Sequence, residues 1–372
     1  MRLMMYKFGD IFEFRKKAKI KAGEGKSKGQ FPFYTSSNVL NKFIDEYVFE
    51  GESLIFGTGG NVSLHFARDE FAVSTDCLVA QTKNGKINTK YIYYFLVLNN
   101  HILEQGFKGA GLKHISKSYI SNISIPEVDR VEQDKIVHAL DKISALRRKR
   151  KEQLLLLDDY LKSFFLEMFG DPVLNNKPWK IVKLEDLITD GPQNGLYKPS
   201  SFYGSGVPIL RIDCFNKGVL SHIEKLKRIE VTNEELRHYQ VYKDNIVINR
   251  VNSRSHLGKC CLIPALREKT IFESNMMKFS VDKTKILPLF LSIFLTTPFI
   301  KKQILKSAKD AVNQSSINQN DVKNFDIFLP PLDLQNKFAK IVNQTKELKQ
   351  KMQESLNEMN NYFNSSMQRY FE

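Results

Sequence analysis

ISNISIPEVDRVEQDKIVHALDKISALRRKRKEQLLLLDDYLKSFFLEMF, residues 120–169, decides the fold, because the chain says it again near its end. Laid on the segment from Val322 to Phe371, it needs no gap. Asn122 meets Asn324, Ile125 meets Ile327, Gln133 meets Gln335, Lys135 meets Lys337 and Leu146 meets Leu348. Further along, Glu152 meets Glu354, Leu154 meets Leu356, Tyr160 meets Tyr362, Ser163 meets Ser365 and Phe169 meets Phe371. A gapless match over about fifty residues marks a true internal repeat.

Both copies read as one long helix. In the first, Ile136, Leu140, Ile143, Leu154, Leu157, Leu161, Phe164 and Met168 recur at steps of four and three, interrupted by Arg147 and Arg150. In the second, Phe338, Val342, Thr345, Met352, Leu356, Met359, Phe363 and Tyr370 take the same slots. An apolar seam sustained over about five heptads is the signature of a coiled coil. Neither run contains Gly or Pro. From Val131 to Phe169 such a helix is about 58 Å long, too long to bury its seam against one small domain. The other copy is the available partner, and antiparallel pairing would put two half-domains at opposite ends of a rod.

The repeat extends beyond the helices. Phe8-Gly9-Asp10-Ile11 matches Leu184-Glu185-Asp186-Leu187, and Gln30-Phe31-Pro32-Phe33 matches Gly206-Val207-Pro208-Ile209. Glu52-Ser53-Leu54-Ile55 matches Asp244-Asn245-Ile246-Val247, Ser74 matches Ser274, and Ile115 matches Ile317. The offset only grows, so the second half carries about 26 more loop residues. Short β-like runs span Glu52 to Phe56, Phe71 to Gln81, Pro208 to Ile212, Asn245 to Asn249 and Met276 to Val281, with Gly- and Asn-rich turns between them. Apolar helices are expected over Lys90 to Leu98 and Leu287 to Leu295. Ser124 to Asp129, Gly170 to Lys177 and Asp326 to Leu332 read as linkers, punctuated by Pro126, Pro172, Pro178, Pro330 and Pro331. The expected class is α/β (α+β): two similar globular domains, 1–128 and 170–331, and two long helices, 129–169 and 332–372, forming an antiparallel coiled coil.

At 372 residues, with 42% hydrophobic residues, 27 Phe and 14 Tyr, the chain can fill two sizeable cores. A net charge of +15 favours a polyanionic partner, of which nucleic acid is the commonest; a merely basic soluble protein is the bland alternative. Cys77, Cys214, Cys260 and Cys261 show no CxxC spacing, as suits a reducing cytoplasm. The most apolar run, Ile286 to Leu295, is far short of the ~20 residues of a membrane helix.

The common catalytic sets are missing. Gly23-Glu24-Gly25-Lys26-Ser27 resembles the end of a phosphate-binding loop, but Ile20 stands where GxxxxGK[ST] needs Gly. There is no HExxH, no metal-ligand spacing among the seven His, no GxSxG and no methyltransferase loop pair; Gly170-Asp171-Pro172 and Leu329-Pro330-Pro331 lack the aromatic and the amide. What remains is a set of loops rich in side chains suited to DNA. The first half offers Tyr34, Thr35, Ser36 and Asn38; Thr58 and Asn61 within Gly57 to Asn61; and Lys108, Lys113 and His114. The second offers Gln193 and Asn194, then Arg211, then Asn249, Arg250, Asn252, Ser253, Arg254 and His256, and finally Lys309 and Gln314. Arg can bond guanine bidentately, Asn and Gln adenine, and Lys, Ser, Thr and backbone amides suit phosphates. The same residue types also build ordinary turns, and only their recurrence at matching places in both halves favours a shared role. Arg147 to Lys151 (RRKRK) could face DNA, or be a solvated helix face or docking patch.

Two variable halves, each followed by a near-identical long helix, resemble the specificity subunit of type I restriction-modification systems. FFLEMFGDPVLNN followed by Trp179, Tyr34-Thr35-Ser36 after Phe31-Pro32, and NRVNSRSHLGK from Asn249 to Lys259 resemble stretches of that family, as do ISIPEVDRVEQDKIV and IFLPPLDLQNKFAKIV at the helix entries. The resemblance implies a subunit that catalyses nothing itself. Each half would read part of a bipartite double-stranded DNA site, and the helices would fix the spacer and dock two methyltransferase subunits. Restriction and translocase subunits would complete a cytoplasmic assembly, with S-adenosylmethionine, ATP and Mg bound by the partners. A type II enzyme's specificity subunit, a free-standing DNA-modifying enzyme and a structural coiled-coil scaffold are the other readings.

Overall fold

The computed structural model describes residues 5–83, 85–174, 176–216, 218–220, 223–312 and 314–371. It comprises two compact units, Met1–Gln153 with Met352–Glu372, and Leu154–Lys351. Among the described residues no helix is long and apolar enough to cross a membrane.

Each unit is built on a four-stranded antiparallel sheet. In the first unit the strand order is Phe12–Phe14, Cys77–Thr82, Ser53–Gly57, Ser63–Ala67. In the second it is Ile188–Asn194, Met276–Val281, Ile246–Asn249, Cys260–Leu262. The matched stretches at Leu54 and Ile246 form the third strand of each, buried along its length as its unbroken apolar run requires. A smaller mixed sheet flanks each one. Phe31–Tyr34 pairs antiparallel with Phe43–Ile44 and parallel with Ala72–Val73, Phe33 lying opposite Ala72. Tyr203–Leu210 pairs antiparallel with Arg228–Ile229 and parallel with Ile271–Phe272, Ile209 lying opposite Ile271. Phe8–Ile11 and Leu184–Leu187 both form a single helical turn entered from an extended Lys, at Lys7 and Lys183. Shared order, shared direction and shared punctuation make the two units copies of one α+β fold.

The expected run from Phe71 to Gln81 is broken. It forms two strands, Ala72–Val73 and Cys77–Thr82, because Cys77 N–H turns back to the Ser74 carbonyl (3.1 Å). The expected linkers also differ. Ser124–Pro126 pairs with Met5–Lys7, and Asp326–Leu329 pairs with Lys180–Lys183. Proline signalled an exit from each domain, whereas the chain first makes one more strand against that unit's opening strand.

The long helices run Arg130–Phe169 and Leu332–Phe371, 40 residues each. The first ends where Gly170 takes φ +75°, a left-handed cap closed by its N–H to the Leu166 carbonyl at 2.8 Å. In the first unit Arg147 Nε donates to Asn360 Oδ1 at 2.7 Å. Met367 is buried with Ile136, Val137 and Leu140, and Phe371 lies 5.1 Å from Tyr91. In the second unit Lys349 pairs with Asp158, while Phe338 packs on Phe164 and Phe169. Within each unit the partner numbers run oppositely, so the helices pair antiparallel. Arg147 is tolerated in the seam because its guanidinium lies 4.5 Å over the Phe363 ring.

Gln133 and Gln335 anchor these helices to their domains. Gln335 is fully buried; its Oε1 accepts from Leu287 N–H (2.8 Å), and its Nε2 donates to the Pro330 carbonyl (2.8 Å) and the Lys285 carbonyl (3.3 Å). Gln133 repeats the arrangement, accepting from Asn88 N–H (2.8 Å) and donating to the Val128 carbonyl (2.8 Å). Asn88 and Leu287 are the N-caps of Thr89–Leu98 and Pro288–Phe294, the helices expected from Lys90 and Leu287. One buried amide therefore ties together domain, linker and long helix in each unit.

Candidate nucleic-acid interface

In the first unit three loops converge where strand Ser53–Gly57 ends. Ile115 N–H donates to the Thr58 carbonyl (3.1 Å) and Gly60 N–H to the Lys113 carbonyl (3.1 Å). His114 Nδ1 lies 3.1 Å from the same Thr58 carbonyl. Lys108 and His114 exchange backbone bonds at 3.0 Å, closing that loop. The third loop joins through the Asp76 carbonyl, which accepts from Ser36 Oγ (2.8 Å) and Thr58 Oγ1 (3.0 Å). Gly57 permits the approach, since a Cβ there would sit 2.8 Å from Ser36 Cα. Asn38, Asn61, Lys108, Lys113 and His114 are exposed at this junction, and Thr35, Ser36 and Thr58 are half-buried.

The second unit repeats the construction. Ile317 N–H donates to the Arg250 carbonyl (2.9 Å), the counterpart of Ile115 on Thr58. Arg250 N–H bonds the Asn275 carbonyl (2.8 Å) as Thr58 N–H bonds that of Asp76 (2.8 Å). Val251–Asn252, Ser315–Ser316 and Lys309–Asp310 form a three-stranded sheet that joins two stretches far apart in sequence. Between Ser253 and Leu257 the chain makes a tight turn, with His256 and Leu257 N–H both on the Ser253 carbonyl (2.8 and 2.9 Å). Lys301 braces the turn from behind, donating to the carbonyls of Leu257 (2.8 Å), Arg254 (3.1 Å) and Ser255 (3.3 Å). Burial, with Lys259 and Arg254 nearby, lowers the Lys301 pKa. Arg211 enters from the neighbouring sheet, its Nε 3.5 Å from Glu273 Oε2; burial raises the Glu273 pKa.

Not every expected residue is presented. The Tyr34 ring is buried against Phe71 and His65, because it continues the inward face of its strand. Asn249 is fully buried, and neither polar atom of its amide has a hydrogen-bond partner among the described residues. Arg250 folds back, Nη1 donating to the Ser274 carbonyl (3.1 Å). Gln193 and Asn194 lie on strand Ile188–Asn194, opposite Lys278 and Met277, with the Gln193 amide donating to the His238 carbonyl (2.9 Å). Asn252 is half-buried in its short strand, whereas Ser253, Arg254, His256, Lys309 and Gln314 are exposed. Asn313 and Asn175 lie outside the described residues.

The residue that sequence reasoning passed over is Asp310. Its carboxylate pairs with Arg254 Nη1 and accepts from Ser315 Oγ (2.6 Å), and these two partners hold its pKa below the ordinary carboxylate value. A lone acid between basic loops carries no local signal of this role.

A family model described as the type I restriction modification DNA specificity domain matches residues 2–156 and 176–359. The specificity subunit assigned to the type I restriction enzyme MjaX in Methanocaldococcus jannaschii is 34% identical over 166 residues, covering 44% of this chain and 38% of that one. This match spans less than half the relative's length. The MjaVIII specificity subunit of the same organism is 24% identical over 359 residues, covering 88% of this chain and 83% of the relative. Among solved structures, the S subunit of a type I restriction-modification system from M. genitalium shares the fold, with a TM-score of 0.64 at 14% identity over 100% of this chain and 97% of that one.

Proposed function

The chain belongs to the type I restriction modification DNA specificity family, and from that premise we propose that it is the non-catalytic DNA-reading subunit of a type I restriction-modification complex. Each unit reads one half of a bipartite site in double-stranded DNA. The observation that carries this is the meeting of two sequence-distant loops at the same strand end in both units, held by the same pair of backbone bonds but furnished with different side chains. A common scaffold with divergent loops is how two different half-sites are read by one fold.

The helix pair sets the spacer and docks two methyltransferase subunits. Support lies in apolar side chains left exposed on the helices: Leu146 (54%) and Tyr362 (64%) in the first unit, Leu348 (47%), Tyr160 (48%) and Leu156 (65%) in the second. Restriction and translocase subunits complete the assembly in the cytoplasm, where S-adenosylmethionine, ATP and Mg are bound by the partners. Footprinting of the chain with its methyltransferase subunits on a randomised duplex library is expected to select a split site. Equal protection of all sequences would instead favour a structural scaffold.

A further inference from the structure

We propose that Arg254 reads a guanine in the half-site addressed by the second unit, and that Asp310 is the positioning residue that aims it. The inference rests on the DNA-reading function above.

Three features lead there. The main chain bearing Arg254 is fixed, because Lys301 bonds the carbonyls of residues 254, 255 and 257 and Gly258, at φ +76°, returns the chain to the Asn249 carbonyl (3.0 Å). The side chain is aimed as well, since Asp310 engages Nη1 and is itself held by Ser315 Oγ on the paired strand. The guanidinium nevertheless remains open to solvent, with 56% of the side chain exposed. No hydrogen bond is seen at its Nε–Nη2 edge among the described residues, and that edge can meet guanine O6 and N7 side by side.

A carboxylate beside an arginine suits a base far better than a phosphate. Asp310 repels a phosphate oxygen, whereas it leaves the neutral acceptors of guanine free to approach. It also removes in advance the rotamer freedom that a long side chain otherwise loses on binding. The first unit has no such pair: its loop from Gly57 to Ser63 (GTGGNVS) holds no arginine, and Lys108 pairs with His114 as Lys309 pairs with Ser316, which puts Gly109 where Asp310 stands. The device therefore belongs to one half-site only.

The test uses the chain co-produced with its methyltransferase subunits, on duplexes carrying the site found by methylation mapping. Each guanine is replaced in turn by 7-deazaguanine, which lacks the N7 acceptor, and binding is read by fluorescence anisotropy. One position is expected to weaken wild-type binding by about 10- to 100-fold. Arg254→Ala and Arg254→Lys should each show a comparable loss on unmodified DNA, and no further loss from 7-deazaguanine at that position. Asp310→Asn should reduce discrimination there while leaving affinity for random DNA equal or higher. The proposal is overturned if Arg254→Ala weakens cognate and random DNA equally while the salt slope falls by about one, which would make Arg254 a phosphate contact. It is overturned too if no guanine couples to Arg254, or if the site has no guanine. A wild-type complex with no preference over random DNA removes the DNA-reading function first, and this proposal with it.

Discussion

Gln335→Met is the substitution that bears most directly on how a long helix is fixed to its domain. The replacement keeps nearly the same volume and loses every polar contact. Two buried groups are then stranded, the Leu287 N–H and the Pro330 carbonyl, each 2.8 Å from the glutamine in the native protein. The Lys285 carbonyl, at 3.3 Å, loses a weaker bond. An orphaned buried donor or acceptor costs ~1–3 kcal/mol, so the change should destabilise the second unit by about 2–4 kcal/mol. For a unit of some 200 residues that is a fall of roughly 5–15 °C in its unfolding temperature. Differential scanning calorimetry reads it. Gln133→Met should do the same to the first unit, and the two effects should add, because the sites share no partner. If Gln335→Met unfolds within about 0.5 kcal/mol of wild type, the glutamine clasp does not hold the helix and the reasoning is wrong.

Other substitutions probe the helix pair and the second unit. Arg147→Ala removes the stack on Phe363 and the bond to Asn360 and should cost the first unit about 1–2 kcal/mol in denaturant unfolding; a neutral result would mean the seam does not need it. Inserting seven residues after Gln153 and seven after Lys351 adds about 10 Å to each helix, so the unread spacer should grow by about three base pairs with both half-sites unchanged, as methylation mapping would show. The Glu235 carboxylate is held below its ordinary 4.5 by Lys198 and by the Thr232 N–H. A depressed folded-state pKa gives stability that is complete above 4.5 and is lost as pH falls through the lower value. Glu235→Gln should therefore flatten the acid limb of the second unit's melting curve, and an unaltered limb would contradict the assignment.

Much of this architecture was legible because it was written twice. The gapless match fixed both long helices to within about a residue, since a sustained seam without Gly or Pro leaves little choice. It also paired Gln133 with Gln335, but not their role, because a buried clasp depends on residues such as Leu287 and Pro330 that only the fold brings near. The strands Ser124–Pro126 and Asp326–Leu329 were invisible for a similar reason: their partners lie more than a hundred residues away. At the interface, residue type picked out loops that the fold brings together at one strand end in each unit, but not which of their side chains are presented. Tyr34 and Asn249 have suitable chemistry but sit on inward-facing strand positions, whereas Asp310, unsuitable by charge, is the group that aims Arg254.

Sequencing the methylated adenines in a host that carries this chain together with its methyltransferase tests the whole account at once. Two short half-sites with a methylated adenine in each, kept apart by an unread gap of constant length, are expected to appear with the chain and vanish without it. A single uninterrupted motif, or a pattern indifferent to the chain's presence, would contradict it.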